Sequence, residues 1–286
     1  MLWRIIRTII ATILLIGLPY FIYVGFIADE ALVEVEHDVD MGKRVVQSLA
    51  QDPIEYPVLS EEDYPEAYAY MQNMVDEIVA SDQVNYRDTF EYHKVKIIAR
   101  DDVLNAFCTP GGYVYVYSGL IKYLDHADHL AGVLGHEIAH EELRHSVIRM
   151  QKEYGRDKLF EFLIFATPAD LGTLIGAKIL QELMTLDYSR DQEAASDRLS
   201  VDYLQDTEYA CNGAAGFFQK LLDKNNDVRM PEFLSDHPAS QARVDDINQR
   251  AQQLQCDTGL SEQSNWRAFQ QLLPDAPGPE KAENKS

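Results

Sequence analysis

The 286-residue sequence predicts a mainly helical α+β domain carried on one N-terminal membrane helix. Three observations predict it. Residues 8–28 form an uncharged apolar run of membrane-spanning length, residues 93–98 and 112–117 alternate as short strands, and apolar residues recur at helical spacing through much of the remainder. Hydrophobic residues make up 46% of the chain and charged residues 25%, enough for a core in one large domain or two small ones. The formal charge of −22 argues against nucleic-acid binding, which needs basic surface to displace counterions from phosphates. A mean hydropathy of −0.27 excludes a polytopic membrane protein and leaves room for a single anchor. Three cysteines are too few for a disulfide-built mini-fold or a thiolate zinc module.

Arg4 and Arg7 precede the apolar run, and Asp29 and Glu30 follow it. That order places the N-terminus in the cytoplasm and the rest of the chain outside. A cleaved signal peptide is the poorer reading, because its apolar region is shorter and Phe26-Ile27-Ala28 makes a weak cleavage site. The expected division is an anchor over residues 1–28, one domain over 29–272 and a disordered Pro-, Lys- and Glu-rich tail over 273–286.

Within the domain, Met71, Met74, Val75, Ile78 and Val79 recur at helical spacing. A long helix is expected from Ala127 to Met150, with a stripe through Val133, Leu143 and Val147. Residues 159–184 are apolar, but Pro168 and Asp170 interrupt them, so two packed helices or a mobile flap suit them better than a second span. Helical patterning resumes over 189–204, 214–222 and 240–254. Cys108 reads as a small packing residue. Cys211 and Cys256, assigned to separate C-terminal helices, could pair in an oxidising compartment.

The chemistry is carried by His136-Glu137-Ile138-Ala139-His140, inside the expected long helix. Residues 136 and 140 lie one turn apart on one face, so both imidazoles can reach one zinc ion while Glu137 polarises a water beside them. A catalytic zinc needs a third protein ligand. His145 follows His140 by five residues with no helix-breaking Gly between, so it does not complete a metzincin pattern. Glu193 and Asp197 form a second pair at one-turn spacing, in which Glu193 could bind metal and Asp197 could accept the free ring N–H of a ligand histidine. Spacing alone does not choose Glu193 over Glu141, Glu142 or Glu182.

Four blocks, in order, resemble the HtpX and CAAX-prenyl-protease family of zinc metallopeptidases, peptidase family forty-eight within the gluzincins. They are Asn105-Ala106-Phe107-Cys108-Thr109-Pro110-Gly111-Gly112, then Gly135 through His140, then Ser189-Arg190-Asp191-Gln192-Glu193 through Asp197, and His237-Pro238 with Arg243. The resemblance implies a gluzincin-like domain with a small sheet beside the zinc helix. It also implies Glu193 as third ligand and Glu137 as catalytic base. Ser196 stands where the family usually has Ala. Without multiple spans, the chain looks closest to single-anchor members of bacterial envelopes and of the mitochondrial inner membrane.

Gly111 and Gly112 permit a tight turn into an aromatic strand, and peptide substrates can add to an exposed sheet edge. Gly112, Tyr113, Val114 and Tyr115 are therefore candidate substrate contacts. His237 is a candidate to bond the oxyanion or to fill the open metal position in a resting state, with Arg243 supporting it or the helix of Glu193. His37, His93, His126 and His129 read as surface or packing residues. The expected activity is zinc-dependent cleavage of misfolded or membrane-associated polypeptides, with one zinc per chain and the domain in the periplasm on the inner membrane. The alternative location is the mitochondrial inner membrane, and the alternative activity is that of a zinc-bound chaperone or adaptor.

Overall fold

The computed structural model describes residues 33–154, 169–183, 188–223 and 237–276, with residues 3, 6, 7, 15, 31 and 233 in addition. Its helices are α1 Glu36–Gln51, α2 Pro65–Val79, α3 Ser118–Tyr123, α4 Ala127–Glu142, α5 His145–Tyr154, α6 Ala169–Leu183, α7 Arg190–Leu204, α8 Gly213–Asp223, α9 Gln241–Leu254 and α10 Gln263–Gln270. The strands β1 Lys96–Ile98, β2 Ala106–Thr109 and β3 Tyr113–Tyr117 form one sheet in the order β1-β3-β2.

The alternation along β3 sorts the core into two layers. Val114 and Val116 face a cluster with Met71, Leu130, Leu134, Val201 and Phe217, drawn from α2, α4, α7 and α8. Tyr113, Tyr115 and Tyr117 face the other way, onto Met41, Val45 and Leu49 of α1 and Ile175 and Ile179 of α6. Helix α4 lies in the first layer and is buried along its whole length. Its small residues make this possible. A Cβ on Gly132 would run into the backbone of Ala214, so α4 and α8 cross at backbone contact.

Strand β3 is the middle strand, parallel to β1 and antiparallel to β2. The expectation that this strand is an exposed substrate edge is therefore corrected: it is the central strand, paired with β2 over Tyr113 to Val116 and with β1 over Tyr115 to Tyr117. The loop at residues 57–59 in turn covers β1, through Leu59 N–H to Ile97 O and Ala99 N–H to Pro57 O. The edge beside α4 is β2, which the sequence pattern did not reveal as a separate strand. Gly111 and Gly112 make the expected turn between β2 and β3, with φ of 81° and 86°.

The single helix expected over 127–150 is two. Arg144 sits between them at φ 54°. Its guanidinium is drawn off the helix by buried Asp38, with Nε at 2.6 Å and Nη2 at 2.8 Å from the two carboxylate oxygens, and Nη2 also donates to Val33 O at 2.7 Å.

Three other expectations change. Leu273 is buried, and residues 274–276 dock: Asp101 N–H donates to Ala276 O at 2.8 Å and Ala276 N–H to Asp101 Oδ2 at 2.9 Å. The expected disordered tail is thus ordered at its start, and residues 277–286 lie outside the described residues. Helix α10, absent from the sequence reading, buries Trp266 and Phe269. Cys211 and Cys256 form a disulfide, but they flank α8 and α9 rather than lying within them. Among the described residues no helix is long and apolar enough to cross a membrane. Apart from single positions, the expected anchor over residues 1–28 lies outside them. Of the apolar stretch 159–184, the described part is α6, packed along α1 where Gly176 meets the Arg44 carbonyl.

Candidate metal centre

Helix α4 presents His136, Glu137 and His140 on consecutive turns, all within 5% of full burial. Helix α7 opens with a capping box in which the Ser189 hydroxyl accepts from Gln192 N–H and Gln192 reaches back to Ser189 N–H. That start sets the phase that points Glu193 and Asp197 at α4. Ser240 caps α9 by accepting from Arg243 N–H, and His237 lies just upstream.

The four groups converge. His136 Nε2 is 3.0 Å from His140 Nε2, 3.5 Å from Glu193 Oε2 and 3.2 Å from His237 Nδ1. His140 Nε2 is 3.3 Å from Glu193 Oε1, and His237 Nδ1 is 2.8 Å from the same oxygen. His237 Nε2 lies 3.4 Å from Glu137 Oε1. Among the described residues, His136, His140, Glu193 and His237 are the one cluster of such donors, all within 4.8 Å of one another.

The outer faces of the ligands are held as well. His136 Nδ1 is 2.9 Å from Asp197 Oδ1, and His140 Nδ1 is 2.9 Å from His145 Nδ1. Arg243 grips Asp197 with Nε at 2.7 Å and Nη2 at 2.6 Å, reaches Glu193 Oε2 with Nη1 at 2.7 Å, and donates to Pro238 O at 3.0 Å. Its guanidinium carbon lies 4.1 Å from the centre of the Phe218 ring, a cation–π contact. One residue thus ties the carboxylates of α7 to the backbone beside His237.

Burial divides the charges. Desolvation raises the Glu137 carboxyl, an effect that His237 and His136 only partly offset. Desolvation would raise Glu193 too, but His237, His140 and His136 outweigh it and hold that carboxyl far below the usual range. Burial, then the neighbouring His136, pushes His140 well below an ordinary imidazole. For His237, burial is outweighed by Glu137 and Glu193, and its pKa is raised.

The donor set suits a divalent cation. Bonds of about 2.0–2.1 Å to a tetrahedral zinc place neighbouring donors about 3.3 Å apart, and the spacings here run from 2.8 to 3.5 Å. Glu137 Oε1, buried beside the cluster, makes no hydrogen bond among the described residues.

The residues expected from sequence at the centre, namely His136, Glu137, His140, Glu193, Asp197, His237 and Arg243, are all brought together. The rival carboxylates are elsewhere: Glu141 accepts from Gly111 N–H, and Glu142 accepts from Asn85 N–H and the Tyr92 hydroxyl. Two residues were missed in their roles. His145 backs His140, and the Tyr188 ring lies tilted with its centre 4.1 Å from that of His140 and stacks 5.3 Å from that of His237. Tyr188 directly precedes the Ser189 cap, which is the local signal that aims it at α4.

Imidazoles on one helix, a carboxylate from a second and a buried glutamate between them define the centre of a metal-dependent hydrolase. The chain belongs to peptidase family M48, a family of metalloendopeptidases, whose profile matches residues 48–251. It is 30% identical over 258 residues to the beta-barrel assembly-enhancing protease of Yersinia pestis, a match covering 85% of this chain and 50% of that protein. It is 31% identical over 159 residues to metalloprotease YcaL of Escherichia coli K12, covering 54% of this chain and 61% of the other. With the mitochondrial metalloendopeptidase OMA1 of Bos taurus it shares 30% identity over 158 residues, covering 51% and 30% of the two chains. The chain spans half the length of the Yersinia relative and 34% of its E. coli K12 counterpart.

Proposed function

We propose that the protein is a zinc-dependent endopeptidase of the cell envelope, acting on misfolded or membrane-associated polypeptides. The observation that carries the reading is the convergence of His136, His140 and Glu193 within bonding reach of one cation, with Glu137 beside them. His136, His140 and Glu193 would hold the zinc, and Asp197, His145 and Arg243 would keep them in orientation. When bound, zinc supplies the Lewis acidity that acidifies water and polarises a scissile carbonyl.

Glu137 takes a proton from the attacking water and returns it to the leaving amine, a task favoured by the raised affinity for protons that burial gives it. His237 is the fourth donor of the cluster and would occupy, beside a bound cation, the place that a catalytic site keeps for water. We read this arrangement as a resting one, from which His237 withdraws to face the developing oxyanion. Asp197 and Arg243 keep the carboxylate of Glu193 from turning away.

The Cys211–Cys256 disulfide supports an oxidising compartment. The apolar run with arginines before it and acids after it supports a tether with the domain outside the cytoplasm. A periplasmic face of a bacterial inner membrane fits both, and the mitochondrial relative keeps the inner membrane of that organelle as the alternative. Glu137→Gln is expected to retain one zinc per chain by elemental analysis while cleavage of a denatured test protein falls at least about 100-fold. Full cleavage by that variant would remove Glu137 from the mechanism, and activity that survives a chelator would remove the metal.

A further inference from the structure

Beside the metal centre, α7 and α9 enclose a cleft of about 690 Å³ that reaches Glu193 and Tyr188. Its α7 wall is the stripe Arg190, Ala194, Arg198, each one turn from the next, so two guanidinium groups flank a position where a small side chain leaves room. Both arginines are exposed, and neither forms an ion pair or hydrogen bond among the described residues. That is contrary to composition, because 47 acidic residues compete for 25 basic ones in this chain.

The cleft carries further positive character. The N-termini of α7 and α9 both border it, adding their partial charges to those of the arginines. Of the acids that line it, Glu193 and Asp197 are engaged by Arg243 and the imidazoles. Asp246 stands on the α9 wall and pairs with neither arginine.

We propose that this cleft is a specificity subsite for a carboxylate side chain, Asp or Glu, of the polypeptide substrate, with Arg190 and Arg198 as the residues that select it. The inference rests on the peptidase reading above and adds to it a substrate preference. Because the cleft reaches Glu193 and the Tyr188 ring that lies against His140 and His237, a peptide bound across the metal centre would bring side chains near the scissile bond within its reach. An acidic side chain entering there gains two guanidinium partners and two helix N-termini, whereas Gln gains only neutral hydrogen bonds.

The test uses the full chain loaded with zinc and fluorogenic peptides that differ by Glu or Gln at single positions on either side of the scissile bond. At one position the Glu peptide is expected to show a kcat/KM about fivefold above its Gln twin, carried by KM and reduced by added salt. In Arg190→Gln/Arg198→Gln that ratio collapses to about one, and in Arg198→Glu the preference moves to a Lys peptide. An equal ratio in the wild type and the double variant, or no preference at any position, overturns the proposal. Anisotropy titration of the same labelled peptides onto Glu137→Gln reads the preference without cleavage. If the wild type cuts no peptide, the peptidase reading fails, and the titration still decides whether the cleft selects carboxylates.

Discussion

Glu137 and Glu193 show how little a residue's identity says about its chemistry. Both are glutamates buried to 5% exposure or less. Burial raises the affinity of Glu137 for protons and His237 and His136 only partly offset it, while Glu193 is crowded by three histidines and is kept ionised. Environments that separate two carboxyls in this way separate a proton carrier from a cation holder. His129, at the opposite end of α4, provides a test free of the metal centre. Burial, reinforced by nearby His126, lowers its pKa to about 4, and its Nδ1 has no hydrogen-bond partner among the described residues. The unfolded chain takes up this proton near the ordinary value of about 6.5, above the folded pKa. The stability contributed by neutral His129 is therefore present above pH 6.5 and is lost as pH falls towards 4. That loss amounts to roughly 3 kcal/mol. Urea unfolding of His129→Asn across this window should show a correspondingly shallower acid decline than the parent, and identical slopes would contradict the assignment.

At the scale of elements, α4 could be read from sequence as the bearer of the histidine pair, because a one-turn spacing is a local property. Where it ends could not. The apolar stripe through Val133, Leu143 and Val147 continues past residue 143, yet the helix stops at Glu142. A long-range partner, Asp38 on α1, captures Arg144 and holds it at positive φ. The place of β3 in the sheet was hidden for the same reason: alternation reveals a strand but not its neighbours. Asp38→Ala would leave the Arg144 guanidinium buried with the Val33 carbonyl as its remaining partner. Removing one member of a buried pair costs about 3–5 kcal/mol, so the urea midpoint should fall well below that of an exposed control such as Asp40→Ala. Equal midpoints would show that the pair does not anchor α1.

Across the whole molecule, the sheet divides two apolar layers, and the metal centre lies in the layer where α4 is packed on every side. This accounts for the near-complete burial of its ligands and hence for the desolvation that raises Glu137 and lowers His140. The C-terminal elements close over that layer and are joined by Cys211–Cys256, 45 residues apart. Closing a loop of that length restricts the unfolded chain by about 4 kcal/mol. Cys211→Ser/Cys256→Ser should lower the unfolding free energy by about 2–4 kcal/mol in urea titrations, and reductant should lower the parent equally while leaving the variant unmoved.

The amino-acid order alone identified the histidine pair with its glutamate, the helical and strand segments around it, and the family resemblance, because these depend on spacings of a few residues and on ordered blocks. Which carboxylate joins the histidines was left open by spacing among Glu141, Glu142, Glu182 and Glu193, although the resemblance pointed to the last. Tertiary structure turned Glu193 inward and gave Glu141 and Glu142 other partners. It also set Arg144 as a helix stop, put β3 at the centre of the sheet and left Arg190 and Arg198 facing a cleft. Each of those outcomes depends on contacts between segments far apart in the chain, and side-chain periodicity carries no record of which distant surfaces will meet.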